Sequence, residues 1–159
     1  MSAAKPGRDA PDIVVLPPVL AIGALVLGFA VDRWLWTVRP FPLVPARTAG
    51  AALFVASGYL VHRAHGAMTR AGTNVFPTRP ALALVETGPF RRSRNPIYIA
   101  LLGVCLAVAL WVDSLVMLVL VVPVAAILHW GVVLREERYL EAKFGDAYRA
   151  YGSRVRRWI

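Results

Sequence analysis

The chain has 159 residues, 58% of them hydrophobic and only 17% charged, yet 18 Lys and Arg against 9 Asp and Glu give a formal net charge of +9. A globule of this length keeps much of its surface wet and cannot hide so much apolar side chain; disorder needs low hydrophobicity, and a basic nucleic-acid module needs a mainly polar surface. What remains is an all-α integral membrane bundle with basic segments between its spans.

In chain order, Lys5 and Arg8 precede the first apolar run, as in a secretory leader, but Asp9 and Asp12 intrude and the run is too long for a leader core. The run 13–31, with Pro17-Pro18 near its start, therefore reads as a retained span, and 43–61 as a second span whose Arg47 snorkels to an interface. The run 97–112 is short for a span of about 20 residues, but only Asp113-Ser114 separates it from the 20-residue run 115–134, so the two form a tight hairpin. Period-two alternation is absent, which argues against a membrane barrel. The expected domain is a single one, 1–159, with four spans.

Basic residues predict the topology. Lys5, Arg8, six Arg between 63 and 96 and seven Lys or Arg from Arg135 onward fall on one side, and only Arg33, Arg39 and Arg47 on the other. Both termini are expected in the cytoplasm of a bacterial cell, with the protein in its cytoplasmic membrane. The cytoplasmic loop holds turn-rich stretches at 72–77 and 87–90. Asn95-Pro96 then reads as a helix start, Asn as N-cap and Pro at the first helical position. In the tail, Leu140, Phe144, Tyr148, Tyr151 and Val155 make one apolar stripe, with Gly145 and Gly152 as points of weakness.

The hairpin brings Arg91, Arg92 and Arg94 back toward Glu136 and Glu137, with the N-terminal amides of span three beside them, a ready anion site. Arg can clamp a carboxylate or phosphate with two parallel bonds. Glu can accept from an amine or a ribose diol, and Tyr98, Trp130 and Tyr139 offer stacking faces. S-adenosylmethionine meets all of these requirements. On spacing and charge alone, an ion-pair cluster that anchors the hairpin is the simpler account.

Gly88-Pro89-Phe90-Arg91-Arg92-Ser93-Arg94-Asn95-Pro96-Ile97-Tyr98, followed after the hairpin by Glu136-Glu137, Leu140, Phe144-Gly145, Tyr148, Tyr151 and Val155-Arg156-Arg157-Trp158, resembles the isoprenylcysteine carboxyl methyltransferase and phospholipid methyltransferase superfamily. Gly72-Thr73 and Pro77 look like bacterial members, and the likeness covers about residues 72–159. One departure stands out: the family's His before the Pro is Asn95, which can donate an amide hydrogen bond but cannot act as a general base.

The resemblance implies a membrane methyltransferase, carboxyl O-transfer foremost, with its cofactor region at about 72–98 and 130–159 and the tail as a lid. S-adenosylmethionine would be held by Arg91, Arg94, Asn95, Pro96, Tyr98, Glu136 and Glu137, with Tyr148, Tyr151 and Arg156 from the tail. Arg94, Glu136 and Glu137 would serve the chemistry. A lipophilic acceptor would enter from the bilayer past His129 and Trp130; an interhelical hydrogen bond is an equal reading for His129. Holding acceptor and methyl in attack geometry can contribute roughly 7–11 kcal/mol. No metal, nucleic acid or obligate protein partner is implied. The rival reading is a non-catalytic module that binds anionic headgroups through the Arg/Glu cluster.

Other candidates read blandly. His62 and His65 lack a third ligand for a metal, and the lone Cys105 is a packed hydrophobe that excludes an internal disulfide. Gly23, Gly28, Gly50 and Gly58 suit close helix packing.

Overall fold

The computed structural model describes residues 9–35 and 37–159, so Lys5 and Arg8 lie outside the described residues. Every regular element is helical: α1 (Pro17–Trp34), α2 (Leu43–Arg70), a 3₁₀ turn (Gly88–Arg91), α3 (Pro96–Val112), α4 (Leu115–Leu128), a π-helical turn (His129–Val133), α5 (Leu134–Phe144) and α6 (Asp146–Arg154). Among the described residues there is no strand. The helices Pro17–Trp34, Leu43–Arg70 and the continuous Leu115–Phe144 are long and apolar enough to cross a membrane, while Pro96–Val112 is shorter. The apolar part of the last one ends at Leu134, and α5 continues beyond it as a polar helix.

Both ends of α1 differ from the sequence expectation, and α2 continues past the expected end at 61 to Arg70. α1 starts at Pro17, because proline is well suited to the first helical turn; residues 13–16 approach it without helical structure. α1 also runs on to Trp34, which brings Asp32 inside, 5% exposed. Its Oδ2 accepts from Arg39 Nη1 at 2.9 Å, and the same guanidinium reaches the carbonyls of Val112 (2.7 Å) and Asp113 (3.1 Å). This cluster ties the α1–α2 connection to the α3–α4 turn. The turn itself is a Schellman motif: Asp113 takes φ 54°, Ser114 N donates to Ala109 O and Asp113 N to Leu110 O. Ser114 Oγ then caps α4 by accepting from Met117 N at 3.2 Å.

α2 packs on α3, α3 on α4, and α1 on both α3 and α4. Small residues permit the closest approaches, though not all the expected ones. A Cβ on Gly50 would lie 2.8 Å from Ala107 O, and one on Gly28 2.7 Å from Met117 Cγ. Gly23 and Gly58 face open space, and Gly103 against Ser57 takes their place. Val124, Leu128, Val132, Val133 and Tyr98 form the main core, with Leu20, Leu101 and Trp158 against it. Large apolar side chains on the outside, among them Val26, Phe54, Val55 and Val122, are exposed as a hydrocarbon environment requires.

The expected tail stripe is real, but the tail is two helices. Gly145 breaks it at φ 54°, ψ −125°, whereas Gly152 stays inside α6. Tyr148 and Tyr151 on the stripe are buried against the bundle.

Candidate functional site

The turn before α3 is built around Phe90, buried with Ala64, Ala67 and Val85. Fixing Phe90 inward divides its arginines. Arg94 lines a cavity of about 610 Å³, shared with Tyr98, Glu136, Glu137, Tyr148 and Tyr151. Arg91 and Arg92 line a separate groove on the far side of the turn. The cavity lies in the range of about 300–1,000 Å³ usual for small-molecule sites. Its other end is apolar, reaching Leu16 and Val19 of the α1 region, Val61 of α2, and Leu101 and Val104 of α3.

The acidic pair divides its partners. Glu136 Oε1 accepts from the Tyr98 hydroxyl at 2.5 Å. Glu137 takes Arg157 in a fork, Nε to Oε1 at 2.9 Å and Nη2 to Oε2 at 2.8 Å. Arg94 Nη1 stands 3.3 Å from its Oε1. Arg94 Nε is buried and has no hydrogen-bond partner among the described residues. Removal from water pushes the Glu136 carboxyl up to about 7; the Tyr98 hydrogen bond opposes this and the neighbouring Glu137 charge adds to it. Burial, reinforced by Glu137, likewise pushes the Tyr148 hydroxyl up to about 12, so it stays a neutral donor. Burial also raises Tyr151 well above the ordinary range, and its hydroxyl donates to Phe90 O at 2.8 Å.

The tail end is pinned to the turn by its backbone. Arg94 N donates to Arg156 O (2.9 Å), and Asn95 Nδ2 (3.0 Å) and Ser93 Oγ (3.3 Å) both donate to Arg157 O. Asn95 therefore starts α3 as expected, but its side chain makes no cap bond; the amide is spent on the tail. On the other flank, Tyr139 OH accepts from Ala81 N and donates to Asp9 Oδ1, holding the 72–85 segment and the N-terminal segment against α5. Asp9 also pairs with Lys143, and Val14 N donates to Gly131 O in the π-helical turn.

Of the residues expected to form the site, Arg94, Asn95, Pro96, Tyr98, Glu136, Glu137, Tyr148 and Tyr151 all border the cavity. Arg91 does not, and Arg156 is exposed, its guanidinium reaching only Ile159 O. Neither His129 nor Trp130 lines the cavity: His129 Nδ1 accepts from Trp158 Nε1 at 3.2 Å, and Trp130 is 65% exposed. Arg157 was not singled out from sequence. Its signal was the end of α6 at Arg154, after which Val155 is extended (φ −121°, ψ 130°). Helical spacing no longer applies beyond that point, and the Arg157 side chain turns to Glu137.

Residues 45–147 match the family model described as Phospholipid methyltransferase. An uncharacterised protein of Haemophilus influenzae (strain ATCC 51907 / DSM 11121 / KW20 / Rd) is 40% identical over 63 residues, 40% of this chain and 100% of that protein. No solved structure matches the chain.

Proposed function

The chain belongs to the phospholipid methyltransferase family, and from that premise we propose that it is a membrane methyltransferase that uses S-adenosylmethionine to methylate a lipophilic acceptor drawn from the bilayer. The observation that carries the reading is the cavity, which joins Arg94, Tyr98, Glu136 and Glu137 to an apolar end among α1, α2 and α3. The single domain 1–159, both termini in the cytoplasm and the bacterial cytoplasmic membrane belong to the same reading, with basic loops as support.

The donor set fits the cofactor. Arg94 offers a buried N–H without a partner among the described residues for a carboxylate, and Glu136, hydrogen-bonded to the neutral Tyr98 hydroxyl, offers an acceptor for an amine or diol. Tyr148 and Tyr151 supply flat walls. S-adenosylmethionine, when bound, supplies an electrophilic methyl on a sulfonium. Glu137 is occupied by two guanidiniums and serves to hold Arg94 and the tail in place. Glu136, with its carboxyl raised to about 7, is the side chain suited to take a proton from an amine or thiol acceptor; a carboxylate acceptor has none to give. Asn95 takes no proton and fixes the tail.

Binding of S-adenosylmethionine to the detergent-solubilised chain, together with transfer of labelled methyl into a total membrane lipid extract, tests the proposal. The expected result is saturable binding, weakened far more by Glu136→Gln or Arg94→Ala than by Arg63→Ala, and one labelled lipophilic product. Absence of binding to the folded wild-type chain overturns it.

A further inference from the structure

The far side of the 88–96 turn carries a second concavity, a groove of about 640 Å³. It shares only Pro96 with the cofactor cavity. Three guanidiniums line it: Arg63 one turn past Tyr59 on α2, and Arg91 and Arg92 on the turn. None of the three meets a carboxylate within ion-pair distance among the described residues. Arg63 is held by Tyr59, whose hydroxyl accepts from Nη1 at 2.7 Å. The last residue, Ile159, also lines the groove, but its backbone oxygen is taken by Arg156 Nη1 at 3.4 Å, and no acidic side chain is among the lining residues, so the three exposed cations repel one another.

Its place in the fold selects the counter-ion. Arg63 lies two residues beyond the apolar run 43–61, and Arg91 and Arg92 stand just before α3. All three therefore sit at the boundary where a span leaves the hydrocarbon. Leu60, Ile99 and Trp158 line the same groove and supply an apolar surface on the membrane side. A ligand that satisfies both ends has a phosphate at the boundary and a chain in the bilayer. We infer that this groove is a seat for an anionic phospholipid, its phosphate among Arg63, Arg91 and Arg92 and its acyl chain along Leu60 and Ile99, separate from any methyl-transfer substrate. The seated lipid bridges α2, the turn and Trp158 of the tail.

The full chain, delipidated in detergent, is offered phosphatidylglycerol and phosphatidylcholine and examined by native mass spectrometry. Retention of phosphatidylglycerol over phosphatidylcholine is expected. Arg63→Gln with Arg92→Gln lowers that retention roughly thirtyfold, in line with an attraction of about 1 kcal/mol of each basic residue for an anionic surface. Arg70→Gln with Arg138→Gln, the same loss of charge outside the groove, leaves it unchanged. Equal retention of the two lipids, or equal losses in the two double variants, overturns the inference. So does displacement of the lipid by equimolar inorganic phosphate, which would make the site one for free phosphate. An arm on the wild-type chain alone uses a photoactivatable phosphatidylglycerol. Cross-links confined to residues 59–63, 88–99 and 158–159 support the seat, and cross-links spread evenly around the bundle reject it.

Discussion

Arg157 grips Glu137 with Nε and Nη2 on its two carboxylate oxygens, at 2.9 and 2.8 Å, across 20 residues of chain. The fork joins the last extended segment to the first turn of α5, and Glu137 carries Arg94 on the same carboxylate. One acid thus fixes both the tail and the cavity arginine.

Replacing Arg157 by Ala removes the fork and leaves Glu137 with Arg94 alone. A charged hydrogen bond of this kind contributes about 1.5–3 kcal/mol, and partial exposure of Arg157 places the loss toward the lower end. Thermal unfolding in detergent is expected to show that loss, with weaker S-adenosylmethionine binding because Arg94 loses its position. Arg156→Ala, at an exposed side chain, changes stability by no more than about 0.5 kcal/mol. Equal effects of the two substitutions would contradict the clamp.

The helical hairpin and the convergence of Arg94 with Glu136 and Glu137 were legible because two apolar runs separated by two residues have one way to fold. The assignment of side chains to the two faces of the turn was not. Arg91 and Arg94 are three apart, which in a helix places them together, but the 3₁₀ segment ends at Arg91 and Arg94 lies beyond it, before α3 begins, so they part. The same limit hid Arg157 behind Arg156: the helical period was carried one residue too far, to Val155, past the end of α6. His129 illustrates a third cause. A polar residue in a span needs a partner, and that partner, Trp158, comes from a tail segment whose docking no local pattern reveals.

Glu136 makes a pH dependence that can be signed. Its folded-state carboxyl is raised to about 7 from 4.5, so the folded chain holds more protons than the unfolded one between those values. Stability from this group is full below 4.5 and is lost as pH rises through about 7. Binding of a cationic ligand requires the carboxylate and runs the other way: S-adenosylmethionine affinity rises with pH through about 7 and then levels, and below that pH binding releases a proton. Titration calorimetry in buffers of different ionisation enthalpy reads the proton count. In Glu136→Gln both the slope and the proton release disappear; their persistence would assign the pH dependence elsewhere.

The α2–α3 interface offers a coupling test that needs no cofactor. A Cβ on Gly103 would fall 2.3 Å from Ser57 Oγ but 3.4 Å from Ser57 Cβ. Gly103→Ala is therefore expected to cost about 1–3 kcal/mol as an overpacked contact, and Ser57→Ala to recover much of it. A double-mutant cycle in thermal unfolding should give a coupling of at least about 0.5 kcal/mol. At Gly50 the obstruction is backbone, Ala107 O at 2.8 Å and Trp111 N at 2.9 Å, so Gly50→Ala is costly and no change at Ser57 relieves it. Additive behaviour at Ser57 and Gly103 would rule out the proposed contact.

Gly145 separates the conformational role of the tail break from its packing. Its φ of 54° with ψ −125° is a backbone state that side chains disfavour, and a Cβ there would meet nothing within 4 Å. Gly145→Ala therefore acts through the backbone alone, at about 1–3 kcal/mol. If the chain relieves that strain by continuing α5 as a helix, α6 changes direction, Tyr148 and Tyr151 leave the cavity wall, and Tyr151 loses its bond to Phe90 O. The expected signature is unchanged or slightly higher helix content by circular dichroism, with S-adenosylmethionine binding reduced by a factor of ten or more, since about 1.4 kcal/mol corresponds to tenfold. Gly23→Ala, where the added methyl also meets nothing, has no such strain and serves as the comparison. Wild-type binding in Gly145→Ala would mean that the tail tyrosines reach the cavity without the break.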